Sequence, residues 1–273
     1  MRVAAVQVAT SLDPGENRRV VAARLAAAAG AGASLVVFPE ATMATFGDAS
    51  LDLSSVAEPL DGPFVSALVE GAARHGVTVV AGLFEQVAES EPGPGAGPGR
   101  VHNTVVVVGP GGVLGSYRKV HLFDALGARE SDRVVPGDPA GALAVPLGEG
   151  LVLGVMTCYD LRFPELARVL VDRGATVLAL PAHWYNGPGK AAVWETLVRA
   201  RAIESTAYVV AAGKPEDEAV GRSMVVDPLG DVLVELGGKD EGLALADISS
   251  TRVSAVRTML PVLEHRRFGV VER

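Results

Sequence analysis

The sequence predicts an α/β layered domain, with two sheets packed face to face and helices outside them. Three observations predict it. Short apolar runs alternate with segments of helical periodicity, in the order β-α-β-α-β, then hairpins, then β-α-β-α-β and further strands. Hydrophobic residues make up 49% of the 273-residue chain and mean hydropathy is +0.31, enough to bury a sizeable core. Ala, Val and Gly supply much of that figure, and aromatics only 5%.

Residues 3–8 read as a buried strand. Asp13-Pro14-Gly15-Glu16 then starts a helix, with Asp as N-cap, Pro at the first helical position and Glu at the third. Val20, Val21, Leu25 and Ala28 share one face of it, and Gly30 and Gly32 end it. Residues 34–38 form a second buried strand, stopped by Pro39-Glu40. A helix over residues 63–75, closed by Gly76, leads into a strand over 77–83. Residues 90–99 alternate Gly and Pro and read as a solvent loop. They are not a domain linker, because strands of the same character continue on both sides.

Strands over 103–108 and 113–117 flank Gly109-Pro110-Gly111-Gly112, a hairpin signal. Residues 118–141 form a long polar loop, and long loops inside compact domains are often functional. Strands near 143–146 and 151–157, a helix near 163–173, a strand over 176–180, a helix near 190–204 and a strand over 207–212 follow. This second half matches the first in rhythm without a sequence repeat. Residues 223–227 and 231–235 pair around Pro228-Leu229-Gly230, and 243–247 form the last strand. A short helix near 250–259 precedes an irregular tail. Leu260, Val262, Leu263, Phe268 and Val270 lie in it among charges, a composition suited to crossing to a partner subunit.

Composition excludes several classes. Lys and Arg number 24 against 32 Asp and Glu, a net charge of −8, the wrong sign for a nucleic-acid footprint. No block of like charge marks a membrane surface, and no run of about 18 apolar residues marks a span. The N-terminus reads as a first strand and not as a signal peptide. The single Cys permits no internal disulfide and no thiolate metal site. The expectation is a cytoplasmic protein.

That Cys carries the most information. Cys158 ends the apolar run 151–157 and is followed by Tyr159-Asp160-Leu161-Arg162-Phe163-Pro164-Glu165. A strand that stops at a thiol and turns into a helix mounts a nucleophile above the sheet edge, with a helix N-terminus behind it. The competing reading is a small buried hydrophobe. Two other segments bear on the choice. Glu40 follows a buried strand directly, at the carboxyl end where open α/β sheets place ligands. Lys119 also follows a strand end, with an ammonium suited to holding an oxyanion or depressing a nearby thiol pKa. Taken singly, each also reads as a solvated loop residue.

Together the segments resemble a known family. Phe38-Pro39-Glu40, Tyr117-Arg118-Lys119-Val120-His121-Leu122-Phe123 and Cys158-Tyr159-Asp160-Leu161-Arg162-Phe163-Pro164-Glu165 are similar to the three signature blocks of the nitrilase superfamily of carbon–nitrogen hydrolases. Ala200-Arg201-Ala202-Ile203-Glu204 and the stretch 223–230 resemble later blocks. The resemblance implies one carbon–nitrogen hydrolase domain over residues 1–273, folded as a four-layer α-β-β-α sandwich and assembled as a homodimer or larger homo-oligomer.

It also implies Glu40 as general base, Lys119 as stabiliser of the tetrahedral intermediate and Cys158 as nucleophile, with Glu130 in the long loop as a second carboxylate. Glu130 has three readings: orienting Lys119, positioning substrate, or belonging only to the loop. The form of the third block looks most like the branch of deaminated glutathione amidase and omega-amidase. The implied activity is hydrolysis of a small linear amide without metal or cofactor. The alternatives are an N-carbamoyl-amide hydrolase of the same superfamily and a non-catalytic binding protein that kept the fold.

The sequence departs from the family pattern twice. Val193-Trp194-Glu195 stands where His-Trp-Glu is usual, and Gly221-Arg222-Ser223 where Gly-His-Ser is common. Tyr159, with its backbone N–H beside the thiol, His183 and Trp184 are candidate substrate-binding residues; the bulky run His183-Trp184-Tyr185 at a strand's carboxyl end is suited to walling a pocket, with ordinary packing as the other reading. His121 is expected to be structural. Asp160 and Arg162 are expected to brace the nucleophile by a salt bridge, with a substrate carboxylate as the other reading for Arg162.

Overall fold

The computed structural model describes residues 1–47, 50–88 and 99–271. The Gly/Pro-rich stretch expected as a solvent loop lies outside the described residues, except for Gly99. In the first half, β1 (Arg2–Gln7), β2 (Leu35–Val37) and β3 (Thr78–Gln86) run parallel. The crossovers are α1 (Pro14–Gly30) and α2 (Pro63–His75). β4 (Val101–Gly109) and β5 (Gly112–Arg118) extend this sheet as a hairpin through Pro110-Gly111.

The second half repeats the plan. β6 (Ala144–Gly148) pairs antiparallel with β7 (Leu151–Val155), and β7, β8 (Val177–Pro181) and β9 (Tyr208–Ala212) run parallel. Their crossovers are α3 (Pro164–Asp172) and α4 (Lys190–Ser205). β10 (Met224–Val226) and β11 (Val232–Glu235) add antiparallel strands. β12 (Gly242–Asp247) returns to the first sheet beside β1, and α5 (Ser250–Met259) follows. The strand orders are β12-β1-β2-β3-β4-β5 and β11-β10-β9-β8-β7-β6. Each sheet thus holds three parallel strands flanked by antiparallel ones, the likeness that the sequence carried only as rhythm.

The period of two in each strand assigns its side chains to layers. Val3, Ala5, Val80, Val105 and Val107 of the first sheet pack in one cluster with the strands of the second. Their neighbours Ala4, Val6, Val79, Ala81, Val106 and Val108 join Leu25 of α1 and Leu68 of α2 in another. Both faces of the sheet are therefore apolar, which is why its strands read as unbroken hydrophobic runs. Helices lie outside both sheets, giving the α-β-β-α sandwich. Each fully buried Val or Leu contributes about 1.5–3 kcal/mol, so many small aliphatics replace a few aromatics.

The predicted cap of α1 forms: Asp13 Oδ1 accepts from Gly15 N at 2.7 Å and Glu16 N at 3.2 Å. Glu16 does not reach back to the cap. It accepts from Ser11 Oγ at 2.7 Å, and that hydroxyl accepts from Asp13 N at 3.2 Å.

Candidate active site

Strand β7 stops before its expected end because Asp160 takes the next backbone group. Its Oδ2 accepts from Thr157 N at 2.8 Å and from the Tyr117 hydroxyl at 2.7 Å, while Oδ1 lies 2.7 Å from His121 Nδ1. The chain turns at once into a short 3-10 helix, Cys158–Arg162. Cys158 sits at its start with φ 45°, a conformation that costs a non-glycine residue about 1–3 kcal/mol unless its surroundings enforce it. Asp160 supplies that enforcement.

The expected Asp160–Arg162 bridge is not what braces the elbow. Both Asp160 oxygens are engaged from β5 and the loop after it, and Arg162 lies over the Trp184 ring, 5.1 Å from its centroid. His121 is structural, as expected: it stacks on Phe163 at 3.8 Å and serves Asp160.

The other three predicted residues converge on the thiol from separate elements. Glu40 follows β2, Lys119 follows β5, and Glu130 opens a 3-10 turn in the long loop. Lys119 Nζ donates to Glu40 Oε1 at 2.9 Å and to Glu130 Oε2 and Oε1 at 2.8 and 3.0 Å. Sequence reasoning missed Asn103 of β4. Its amide donates to Glu40 Oε1 at 2.7 Å and to Glu130 Oε1 at 3.0 Å, tying the carboxylates together. His183 N donates to the free Glu40 oxygen, Oε2, at 2.8 Å. Phe123 N donates to Glu130 Oε2 at 2.7 Å.

Glu40 reaches this place because β3 gives way beneath it. A Cβ on Gly82 would stand 2.6 Å from Ala41 N and 3.0 Å from Glu40 Cα. Only a glycine lets the backbone after β2 pass so close to β3.

The electrostatics follow from burial. Glu40, Lys119 and Cys158 are all buried. Burial pushes the Glu40 carboxyl up, but Lys119, then His183 N and Asn103, outweigh it and leave the pKa below its usual 4.5. Burial pulls Lys119 down, and Glu130, Glu40 and Cys158 outweigh it, so its pKa is raised well above the ordinary value. The thiol goes the other way. Burial, then the Glu40 charge and a hydrogen bond to it, raise Cys158 well above 9.0, while Lys119 pulls down. The expectation that Lys119 depresses the thiol pKa is corrected here: its pull is present and is outweighed. The resting pair is a thiol beside a carboxylate, not a thiolate beside an ammonium.

These groups open on a cavity of about 270 Å³. Tyr159, His183, Trp184 and Tyr185 line it, and Phe46 and Phe123, which the sequence reading left out as pocket residues, complete an aromatic wall. The His183 ring is held near pKa 4, by burial first and by Lys214 second. It is therefore neutral at neutral pH. Neither departure from the family pattern lines this cavity: Val193 and Arg222 are absent from its walls, and Arg222 pairs with Glu195 at 3.2 Å and with Glu235. Among the described residues, no three His, Cys, Asp or Glu side chains stand together as metal ligands would. No helix among them is long and apolar enough to cross a membrane.

The profile of the family described as "Carbon-nitrogen hydrolase" matches residues 2–258. The chain belongs to that family. This hydrolase is 39% identical to the deaminated glutathione amidase of Escherichia coli O157:H7, over 98% of each chain. It is 32% identical to omega-amidase NIT2 of Danio rerio, over 97% of this chain and 94% of that one. Among solved structures it is similar to a nitrilase-superfamily amidase from Nesterenkonia sp. AN1. A mutant of that amidase carries acrylamide added to its active-site cysteine; the TM-score is 0.77 and identity 30%, over 96% of this chain and 98% of that one. The hydrolase is thus an amidohydrolase of the nitrilase superfamily.

Proposed function

We propose that this enzyme hydrolyses a small linear amide through a Cys158 acyl-enzyme. The observation that carries the reading is the buried contact set around Lys119: 2.9 Å to Glu40 and 2.8 Å to Glu130, beside the Cys158 thiol at the floor of the cavity. Glu40 takes the thiol proton as sulfur attacks the amide carbon. The carbonyl oxygen gains the charge, and Lys119 Nζ with the Tyr159 N–H receives it. Leading N–H groups of a helix have no partner within it, so one at this elbow is available. Glu40 then hands its proton to the departing nitrogen as the carbon–nitrogen bond breaks. Water, deprotonated by Glu40, attacks the thioester. The acid leaves, and sulfur regains its proton. Two likenesses support an acyl portion of modest size: the relatives named deaminated glutathione amidase and omega-amidase, and the volume of the cavity.

The test is ammonia release across a panel of small linear amides, with Cys158→Ala alongside. The reading expects turnover that the variant abolishes, and a thioester trapped on the wild type by mass spectrometry. Carbon dioxide released together with ammonia would make the enzyme a carbamoyl-amide hydrolase. No turnover of any amide, with a thiol that no ligand protects from iodoacetamide, would make it a binding protein. We also infer a homodimer or larger assembly. The tail exposes Phe268 to 91%, and light scattering of Phe268→Ser against wild type tests that face.

A further inference from the structure

Near Glu40, and outside the residues that line the cavity, lies a second buried ammonium. Lys214 follows β9 and is fully buried. Its Nζ donates to the Ala41 carbonyl at 3.1 Å and to Thr10 Oγ1, and lies 3.6 Å from Glu216 Oε1. Ala41 is the residue directly after Glu40, and it holds φ 51°, left-handed backbone that a non-glycine residue adopts only under constraint. Two features therefore fix the Glu40–Ala41 peptide: Gly82 leaves room for it, and Lys214 grips its following carbonyl. Charge points the same way. Lys119 faces two nearly buried carboxylates alone, and a lone cation between two buried anions leaves one of them uncompensated. Lys214 brings a second cation, shared with Glu216 at 3.6 Å; burial lowers its own pKa, and Glu216 and then Glu40 oppose that by attracting its charge.

We propose that Lys214 is a positioning residue for the reaction assigned above. It clamps the Ala41 carbonyl, so that Glu40 faces the thiol, and its charge adds a second attraction for the ionised carboxylate beside that of Lys119. The inference rests on the reading of Glu40 as base. The groups facing Glu40 are Lys119 after β5, Glu130 in the long loop, Cys158 after β7, His183 and Tyr185 after β8, and Lys214 after β9, with uncharged Asn103 on β4. Facing Lys214 are Glu216, Glu40 and His183.

The experiment compares Lys214→Met, which loses both hydrogen bond and charge, with Lys214→Gln, which keeps a donor and loses the charge. The acid limb of kcat/KM reports Glu40, which must be ionised to act. Losing a nearby cation raises its pKa, so the limb moves to higher pH in both variants. Lys214→Met also loses about ten- to a hundredfold in kcat, the scale for misplacing a catalytic group by a fraction of an ångström to one ångström. Lys214→Gln recovers most of that loss. A merely structural lysine would lower the melting temperature and leave the limb where it is. Either variant, folded, with wild-type kcat and an unmoved limb overturns the proposal; if Lys214→Met does not fold, Lys214→Gln alone decides it. A crystal structure of Lys214→Gln needs no substrate and separates this proposal from the amidase reading. Retained positive φ at Ala41, with Glu40 still 2.8 Å from His183 N, is the result expected of the clamp. A relaxed peptide 40–41 despite the retained donor overturns it, whatever the substrate proves to be.

Discussion

Replacing Glu130 by Gln asks whether the second carboxylate serves the chemistry or only the fold. Glu130 holds Lys119 through both oxygens, at 2.8 and 3.0 Å. Removing one member of a buried ion pair costs about 3–5 kcal/mol when nothing takes its place. Here something does: Lys119 keeps Glu40 at 2.9 Å, and the amide oxygen of Gln still accepts from Phe123 N, now at 2.7 Å. The stability loss is therefore that of the two hydrogen bonds Oε1 accepts, from Lys119 and Asn103, at about 1.5–3 kcal/mol each. Turnover suffers more. With Glu130 neutral, Lys119 is drawn to Glu40 alone and away from the position where the oxyanion forms. Losing one such donor costs about 10²–10³-fold in kcat. The assay pairs a urea midpoint with kcat at saturating amide on the same preparation. A variant destabilised by this amount that turns over at the wild-type rate would refute the reasoning and leave Glu130 as a fold residue.

Three further outcomes are expected. Asn103→Ala removes two buried charge-assisted hydrogen bonds, lowers stability by about 1.5–3 kcal/mol for each partner left unsatisfied, and raises the Glu40 pKa; a kcat/KM–pH profile shows the acid limb displaced upward. Gly82→Ala drives a methyl to 2.6 Å from Ala41 N, costs about 1–3 kcal/mol as overpacking, and lowers kcat more than it changes KM, read from initial rates. Iodoacetamide labelling of Cys158 keeps climbing past pH 9.0, because burial and then Glu40 raise the thiol pKa. Glu40→Gln removes one raising cause, so its climb begins at lower pH; a profile unchanged by that variant contradicts the pairing.

The strands were legible because both faces of each sheet are covered, so Val and Ala runs stand out against polar turns. Glu40 and Lys119 each stand at a strand end, which position alone left open to a solvated-loop reading; the three blocks taken together, through their resemblance to a family, singled them out. Asn103 was not legible. It lies in β4 in the run His102-Asn103-Thr104, and a polar residue at a strand end ordinarily signals only that the strand has reached solvent. Here all three are buried. Lys214 was hidden for a similar reason: Gly213-Lys214-Pro215-Glu216 reads as a turn, and nothing local says that it folds back beneath Ala41. Asp160 carried a usable sign. Thr157 and Asp160 stand at the spacing of a helix N-cap and its third residue, which predicts a carboxylate turned back to Thr157 N, where the structure puts it.

The protonation of the thiol explains why the site needs so many polar partners. A helix N-terminus and one lysine would suffice to make a thiolate. This site instead places a carboxylate against the sulfur and raises the thiol pKa. On the proposed mechanism Glu40 must then stay ionised although buried, and burial alone drives it toward the neutral acid. Lys119, Asn103 and His183 N offset that cost by bonding its two oxygens. A carboxylate so held is a weak base, matched to a thiol that is a weak acid, so the proton moves only as sulfur bonds to carbon and its acidity rises. The same carboxylate, once protonated, is a stronger acid than an imidazolium would be, which suits it to donating a proton to a departing amide nitrogen. The arrangement thus favours cleavage of an amide, whose leaving group must be protonated, over capture of an electrophile by a free thiolate.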